Sequence, residues 1–182
     1  VTEGGSTDTY TVQLNTLPKG NVQIAVTADA QAQVSLDGTT FAATQILTFT
    51  HVNGITPQTV TVRAVDDTLV ENNHTGVLTH AIINSTDPNY PIATAIGPVN
   101  AQITDNDITY SVVGSTASVN EGDSGTQVVS FTVTRTGEIS QSSSIDFGFG
   151  GSATNGVDYN NANVTGTGVT VTGTTINFAA NA

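Results

Sequence analysis

The chain predicts an all-β fold built as an antiparallel β-sandwich. Three observations carry that prediction. Apolar and polar residues alternate with a period of two through short segments, while helical periodicity is nearly absent. Val and Thr dominate those segments, and Gly, Pro, Asn or Asp bound each of them. The chain also repeats itself, as sandwich modules in arrays do.

The segments justify themselves in order. "DTYTVQL" places Tyr10, Val12 and Leu14 on one face of a strand. "VQIAVTA" does the same with Val22, Ile24, Val26 and Ala28. "QTVTVRAV", "VLTHAIIN" and "PVNAQIT" follow, each between turn residues. Then "VTEGGSTDTYTVQL" from Val1 reappears as "VNEGDSGTQVVSFTVTR" from Val119, and "ILTFTHVNG" at Ile46 is echoed by "TINFAANA" at Thr175. The expected organisation is two tandem repeats, 1–107 and 108–182. The second is expected to be truncated at its C-terminal side, and the first to lack part of its opening strand, the counterpart of "ITYSVVGSTAS". Such open edges would let a neighbouring chain add a strand.

Composition narrows the function. Fifteen acids against 3 Lys+Arg give a formal net charge of −12 over 182 residues. That argues against nucleic acid and anionic membranes, which need basic patches. No apolar run reaches the ~20 residues of a spanning helix, so no membrane insertion is expected. There is no Cys, which removes disulfides and thiolate metal sites. The composition suits an extracellular or cell-surface protein of bacterial type.

The few charges gather at strand ends. Glu3, and Glu121 in the second copy, follow the opening strand. Asp66, Asp67 and Glu71 follow "TVTVRAV", and "TDND" supplies Asp105 and Asp107. In a sandwich these positions meet at one pole, beside the junction with the next repeat. Two carboxylates roughly 5 Å apart repel by about 1 kcal/mol in water, and by more in a drier site. A divalent cation offsets that repulsion. Ca²⁺ takes six to eight oxygen ligands, whereas Mg²⁺ keeps more water, so a crowded carboxylate pole favours Ca²⁺.

These blocks resemble the Calx-β family, immunoglobulin-like sandwiches found in sodium–calcium exchangers, integrin β4 and bacterial surface proteins. The resemblance lies in Val1–Gly5, Leu47–Glu71 and Ile103–Asp107, and in "ASVNEGDSGTQVVSFTVTRTG" and "ATNGVDY" of the second copy. It implies calcium ligands at Glu3, Asp66, Asp67, Glu71, Asp105 and Asp107, with Glu121 and Asp158 in the second copy. Asp37 is the stand-in for Asp158 in the first. Asn106 interrupts the closing run of acids, and the second copy's set is expected to be incomplete.

Other residues read as structural. Asp8, Asp123 and Asp146 suit turns or surface, and Asp87 in "TDPNYP" a turn start. His51, His74 and His80 form no ligand motif and are expected to serve structure, His80 as a hydrogen-bonded sheet residue. A glycosidase pair is disfavoured because the chain has no Trp and only 4 Tyr for a sugar platform. No nucleophile motif is present either, so no enzyme is expected. The expected function is a calcium-binding extracellular structural or adhesive module, its ions rigidifying the repeat junction. Its partners would be neighbouring repeats of the same or identical chains, and a cell-surface or matrix ligand. The alternatives are a calcium-sensing regulatory module, or an adhesin whose loops bind a ligand with no metal role.

Overall fold

Period-two alternation becomes pleated sheet along the chain, a computed structural model of which describes residues 1–116, 118–120, 124–160 and 164–182. No helix occurs among the described residues, so none is long and apolar enough to cross a membrane. The chain divides into two compact units, Val1–Asp107 and Ile108–Ala182.

The first unit holds seven strands: β1 (Asp8–Val12), β2 (Val22–Ala28), β3 (Ala32–Ser35), β4 (Thr44–Phe49), β5 (Gln58–Ala64), β6 (His74–Ser85) and β7 (Val99–Ile103). They form two antiparallel sheets, ordered β1-β5-β3 and β4-β2-β6-β7. The alternating residues face each other between the sheets. Val22, Ile24 and Val26 of β2, with Leu47, Phe49, Leu78 and Ile82 from the same sheet, pack with Val34, Val60 and Val62 of the other in one core. Burying each such side chain contributes about 1.5–3 kcal/mol. Tyr10, Val12 and Leu14 line this core from β1 and its end, as their common face predicts.

The inward parity of β6 runs His74, Gly76, Leu78, His80, Ile82. His80 meets the expectation for it: Nδ1 donates to the Gly97 carbonyl (3.2 Å), and Nε2 accepts from the Tyr10 hydroxyl (2.8 Å). Burial pushes the imidazole below its ordinary pKa despite the Gly97 bond, and pushes the Tyr10 phenol up to about 12. A half-buried neutral pair therefore lines the core. Asp87 caps its turn as expected, taking N–H bonds from Lys19 and Asn89, which hold its carboxyl below the usual range.

The second unit holds β8 (Ile108–Gly114), β9 (Phe131–Gly137), β10 (Ser143–Asp146), β11 (Val169–Thr172) and β12 (Thr175–Phe178). β8 pairs with β9, and β12 lies between β10 and β11. Gly173, at φ 63°, makes the two-residue turn joining β11 to β12. The centre is small: Ile176 and Phe178 are buried, and Tyr110 stacks on Phe178 at 5.6 Å. Arg135 is buried beside them. Its terminal nitrogens donate to the carbonyls of Ile139, Gln141, Ala179 and Ala182 and to the Ser143 hydroxyl. Those five bonds offset the cost of a cation in the interior, although Nε has no partner. Sequence reasoning missed Arg135; its inward parity with Val133 on β9 was the available signal.

Candidate metal centre

Register brings the acids together. β6 begins where β7 ends, with His74 opposite Ile103. Thr2 bridges Thr104 in parallel, and the Glu3 N–H donates to the Thr104 carbonyl (3.1 Å). Three chain segments thus lie side by side: Glu3, the Glu71–His74 approach to β6, and Asp105–Asp107 beyond β7. Asp66 and Asp67, just past β5, close the pole from the other sheet.

Within this group the structure separates two roles. One set of residues converges with open ligand atoms. Oxygens of Glu3, Asp67 and Asp107 lie within 4.8 Å of one another, as do ligand atoms of Glu3, Glu71 and His74. Glu3 is 2 % exposed. Its Oε2, Glu71 Oε2, Asp107 Oδ2 and His74 Nε2 are all buried without a hydrogen-bond partner. Leaving a buried polar atom unsatisfied costs about 1–3 kcal/mol, and more when it is charged. Four such atoms at one pole form a cluster that could hold a metal ion.

The other set builds the frame. Asp105 is 3 % exposed, and its carboxylate is occupied by backbone. Oδ2 accepts from the N–H groups of Glu71 and Asn72, both at 2.7 Å, and Oδ1 accepts from Asp107 N–H at 2.8 Å. Burial raises its pKa, but these three bonds together outweigh it and hold the carboxyl below its ordinary value. Asp105 thus clamps the Glu71 segment to the end of β7. Asp66 is exposed, and its Oδ1 accepts from the Asn106 amide (3.2 Å). The same amide nitrogen donates to the Glu3 carbonyl (2.9 Å). An aspartate at 106 has no such donor, so the interruption of the acidic run is a strut between Glu3 and Asp66.

The glycine after Glu3 has a reason too. Gly4 sits at φ +56°, and a Cβ there would lie 2.9 Å from Asp66 Oδ1. We expect Gly4→Ala to cost about 1–2 kcal/mol from the left-handed backbone alone. The methyl would also displace the Asp66 carboxylate. Urea denaturation reads the first effect; calcium titration of the same variant reads the second, as weakened binding.

Electrostatics follow the geometry. Burial, then the charges of Asp105, Asp67 and Asp107, push the Glu3 carboxyl up; His74 opposes them. Burial and the neighbouring acids, Asp105 first, push Asp107 up as well. The ion-free pole resists full ionisation, and both groups are relieved either by protons or by a cation.

Three expected residues remain, Asp37 of the first copy and Asp158 and Glu121 of the second. Asp37 is at the opposite pole, since β3 starts at Ala32 opposite Ala64 and ends at Ser35 opposite Thr61. Its Oδ1 accepts from Thr40 N–H (2.7 Å), Thr39 N–H (2.8 Å) and the Ser35 hydroxyl (2.8 Å), bonds that hold its carboxyl well below the usual range. It is a turn cap and no stand-in for a ligand. Asp158, in the second unit, is exposed and accepts from Thr154 N–H (2.7 Å) within its own turn. Glu121 lies outside the described residues. His74, read from sequence as structural, belongs to the converging set; its parity with Leu78 and Ile82, at the pole end of β6, was the missed signal.

Fold and site together define a class: an all-β chain whose sandwich-like first unit carries a partly buried carboxylate–imidazole pole that could hold a metal ion. No family model, curated protein or solved structure matches the chain.

Proposed function

We propose that the chain is a Calx-β-like calcium-binding module of an extracellular tandem array, with a structural or adhesive role and no catalytic one. The observation that carries this reading is the set of buried, partnerless ligand atoms on Glu3, Glu71, Asp107 and His74. Calcium is the ion of choice for the Glu3–Asp67–Asp107 face because that face offers oxygen alone, from short and long carboxylates on independent segments. Carbonyls and waters complete such a shell. The non-enzymatic part rests on the sequence: it has no nucleophile motif, and no Trp and only 4 Tyr for a sugar platform. Asp105 and Asp107 are the last acids of the first unit, so an ion held there stiffens the end of the module from which the next repeat departs. Neighbouring repeats, of this chain or of identical chains, are the partners this implies. Extracellular calcium is often millimolar, which keeps sites with Kd of about 10⁻⁴–10⁻³ M occupied.

Calorimetric titration with CaCl₂ tests the reading. Wild-type protein should give a saturable isotherm at pH 7.5, and Glu3→Gln should give none. The pH dependence has a definite sign. Glu3 and Asp107 have raised pKa values, so their contribution to the ion-free fold is present below the ordinary carboxylate pKa of about 4 and is lost as pH rises through the raised values. A cation replaces those protons. Affinity should therefore climb with pH across that window, with proton uptake by the buffer seen as buffer-dependent heat. A flat titration at pH 7.5 would remove the proposal.

A further inference from the structure

The all-oxygen face does not account for His74. Its Nδ1 lies 2.9 Å from the Asn72 carbonyl. A carbonyl only accepts, so Nδ1 carries a proton, and in the neutral form of the ring Nε2 presents a lone pair. That Nε2 is buried and has no hydrogen-bond partner. It lies 3.6 Å from Glu71 Oε2 and 3.9 Å from Glu3 Oε1. Both separations exceed a hydrogen bond, which for N–H···O ends at about 3.2 Å. They approach the spacing of donors around one small ion: ligands about 2.0–2.2 Å from a tetrahedral centre are about 3.2–3.6 Å apart.

The carboxylates are equally prepared. Glu3 is almost fully buried, and its Oε2 is partnerless. Glu71 is held twice, its N–H by Asp105 Oδ2 (2.7 Å) and its Oε1 by the Gln31 amide (3.0 Å), which leaves Oε2 for a ligand. A second-sphere bond from the far ring nitrogen to a backbone carbonyl is the arrangement that orients metal-bound histidines and raises their basicity. The His74 side chain is 18 % exposed, so an ion has a route in.

Resting on the reading of this pole as a cation site, we propose that Glu3, Glu71 and His74 form a second, mixed nitrogen–oxygen site that takes a borderline divalent transition cation, Zn²⁺ or Co²⁺. Imidazole nitrogen is a good ligand for such ions and a poor one for Ca²⁺. Two carboxylates and one neutral imidazole balance the charge of one such ion. Glu3 belongs to both ligand sets, so the two sites are coupled through one side chain.

The test uses the full chain, stripped with EDTA and dialysed, at pH 7.5. Wild type is titrated separately with ZnCl₂ by calorimetry, with CoCl₂ by visible absorption and with CaCl₂ by calorimetry; His74→Gln and His51→Gln are treated alike. The expected result is a cobalt ligand-field band and zinc binding at least about tenfold tighter in wild type and His51→Gln than in His74→Gln. Calcium affinity should change by less than about twofold. Equal zinc affinity in wild type and His74→Gln overturns this site while leaving the calcium reading standing if CaCl₂ still binds. Silence with every ion removes both. Should His74→Gln fail to fold, proton NMR of wild type decides: one equivalent of Zn²⁺ should shift the His74 ring resonances before those of His51 or His80, and any other order overturns the site.

Discussion

Removing calcium should lower the melting temperature of the Val1–Asp107 unit by roughly 4–18 °C. A ligand that binds only the folded state adds RT ln(1 + [L]/Kd), which for about 5 mM calcium and a Kd of about 10⁻⁴–10⁻³ M is about 1–2.3 kcal/mol. For a unit of about a hundred residues, each kcal/mol moves the midpoint by about 4–8 °C at the small end of the range. The size of the effect has a structural cause. Ion-free, the pole holds Glu3 and Asp107 at raised pKa by burial and mutual repulsion, and four buried ligand atoms go without partners. Calorimetric scans in about 5 mM CaCl₂, roughly five- to fiftyfold over a Kd of about 10⁻⁴–10⁻³ M, and in EDTA compare the two states. Glu3→Gln gives the sharper contrast. It should melt no lower than wild type in EDTA, because a neutral amide relieves the repulsion, yet show no calcium shift. Superimposable wild-type curves in the two buffers would end the calcium reading.

The strands were legible because their physics is local. Val22, Ile24, Val26 and Ala28 share one parity, and that parity is buried. The pole was legible because Glu3, Asp66, Asp67, Glu71, Asp105 and Asp107 all flank strand ends, and a sandwich has only two ends. What each acid does there was not legible. Asp66 and Asp105 look the same in sequence as Asp67 and Asp107. Only the register that sets Glu71 and Asn72 N–H groups against Asp105 Oδ2 makes it a clamp. His74 was misjudged for a related reason: it was weighed against linear ligand motifs, whereas one of its partners, Glu3, comes from a distant segment. Asn106 looked like a lost ligand, and its amide instead bridges Glu3 and Asp66. Asp37 was placed by analogy, and strand direction puts it at the other pole.

That division of labour yields the second large effect. Asp105→Ala should destabilise the first unit by about 3 kcal/mol or more and abolish calcium binding together, although Asp105 needs to touch no ion. Its carboxylate satisfies three backbone N–H groups, of Glu71, Asn72 and Asp107. A fully buried N–H left unpaired costs about 1–3 kcal/mol, and these three are part-buried, so water entering the gap reduces the sum. The sign with pH is opposite to that of Glu3. Asp105 has a lowered folded pKa, so its contribution is present above the ordinary carboxylate value and is lost as pH falls through the lowered one. Asp105→Asn separates clamp from charge: its one carbonyl oxygen can keep part of the backbone bonding, so it should fall between wild type and Asp105→Ala in urea denaturation. Asp67→Ala makes the complementary case. Asp67 is exposed, and its one recorded bond is from Leu69 N–H within its own turn (2.7 Å). It should lose the calcium-dependent shift with less than about 1 kcal/mol change in EDTA. If Asp105→Ala instead left EDTA stability untouched and only weakened calcium, Asp105 would be a ligand first, and the distinction between frame and ligand at this pole would be wrong.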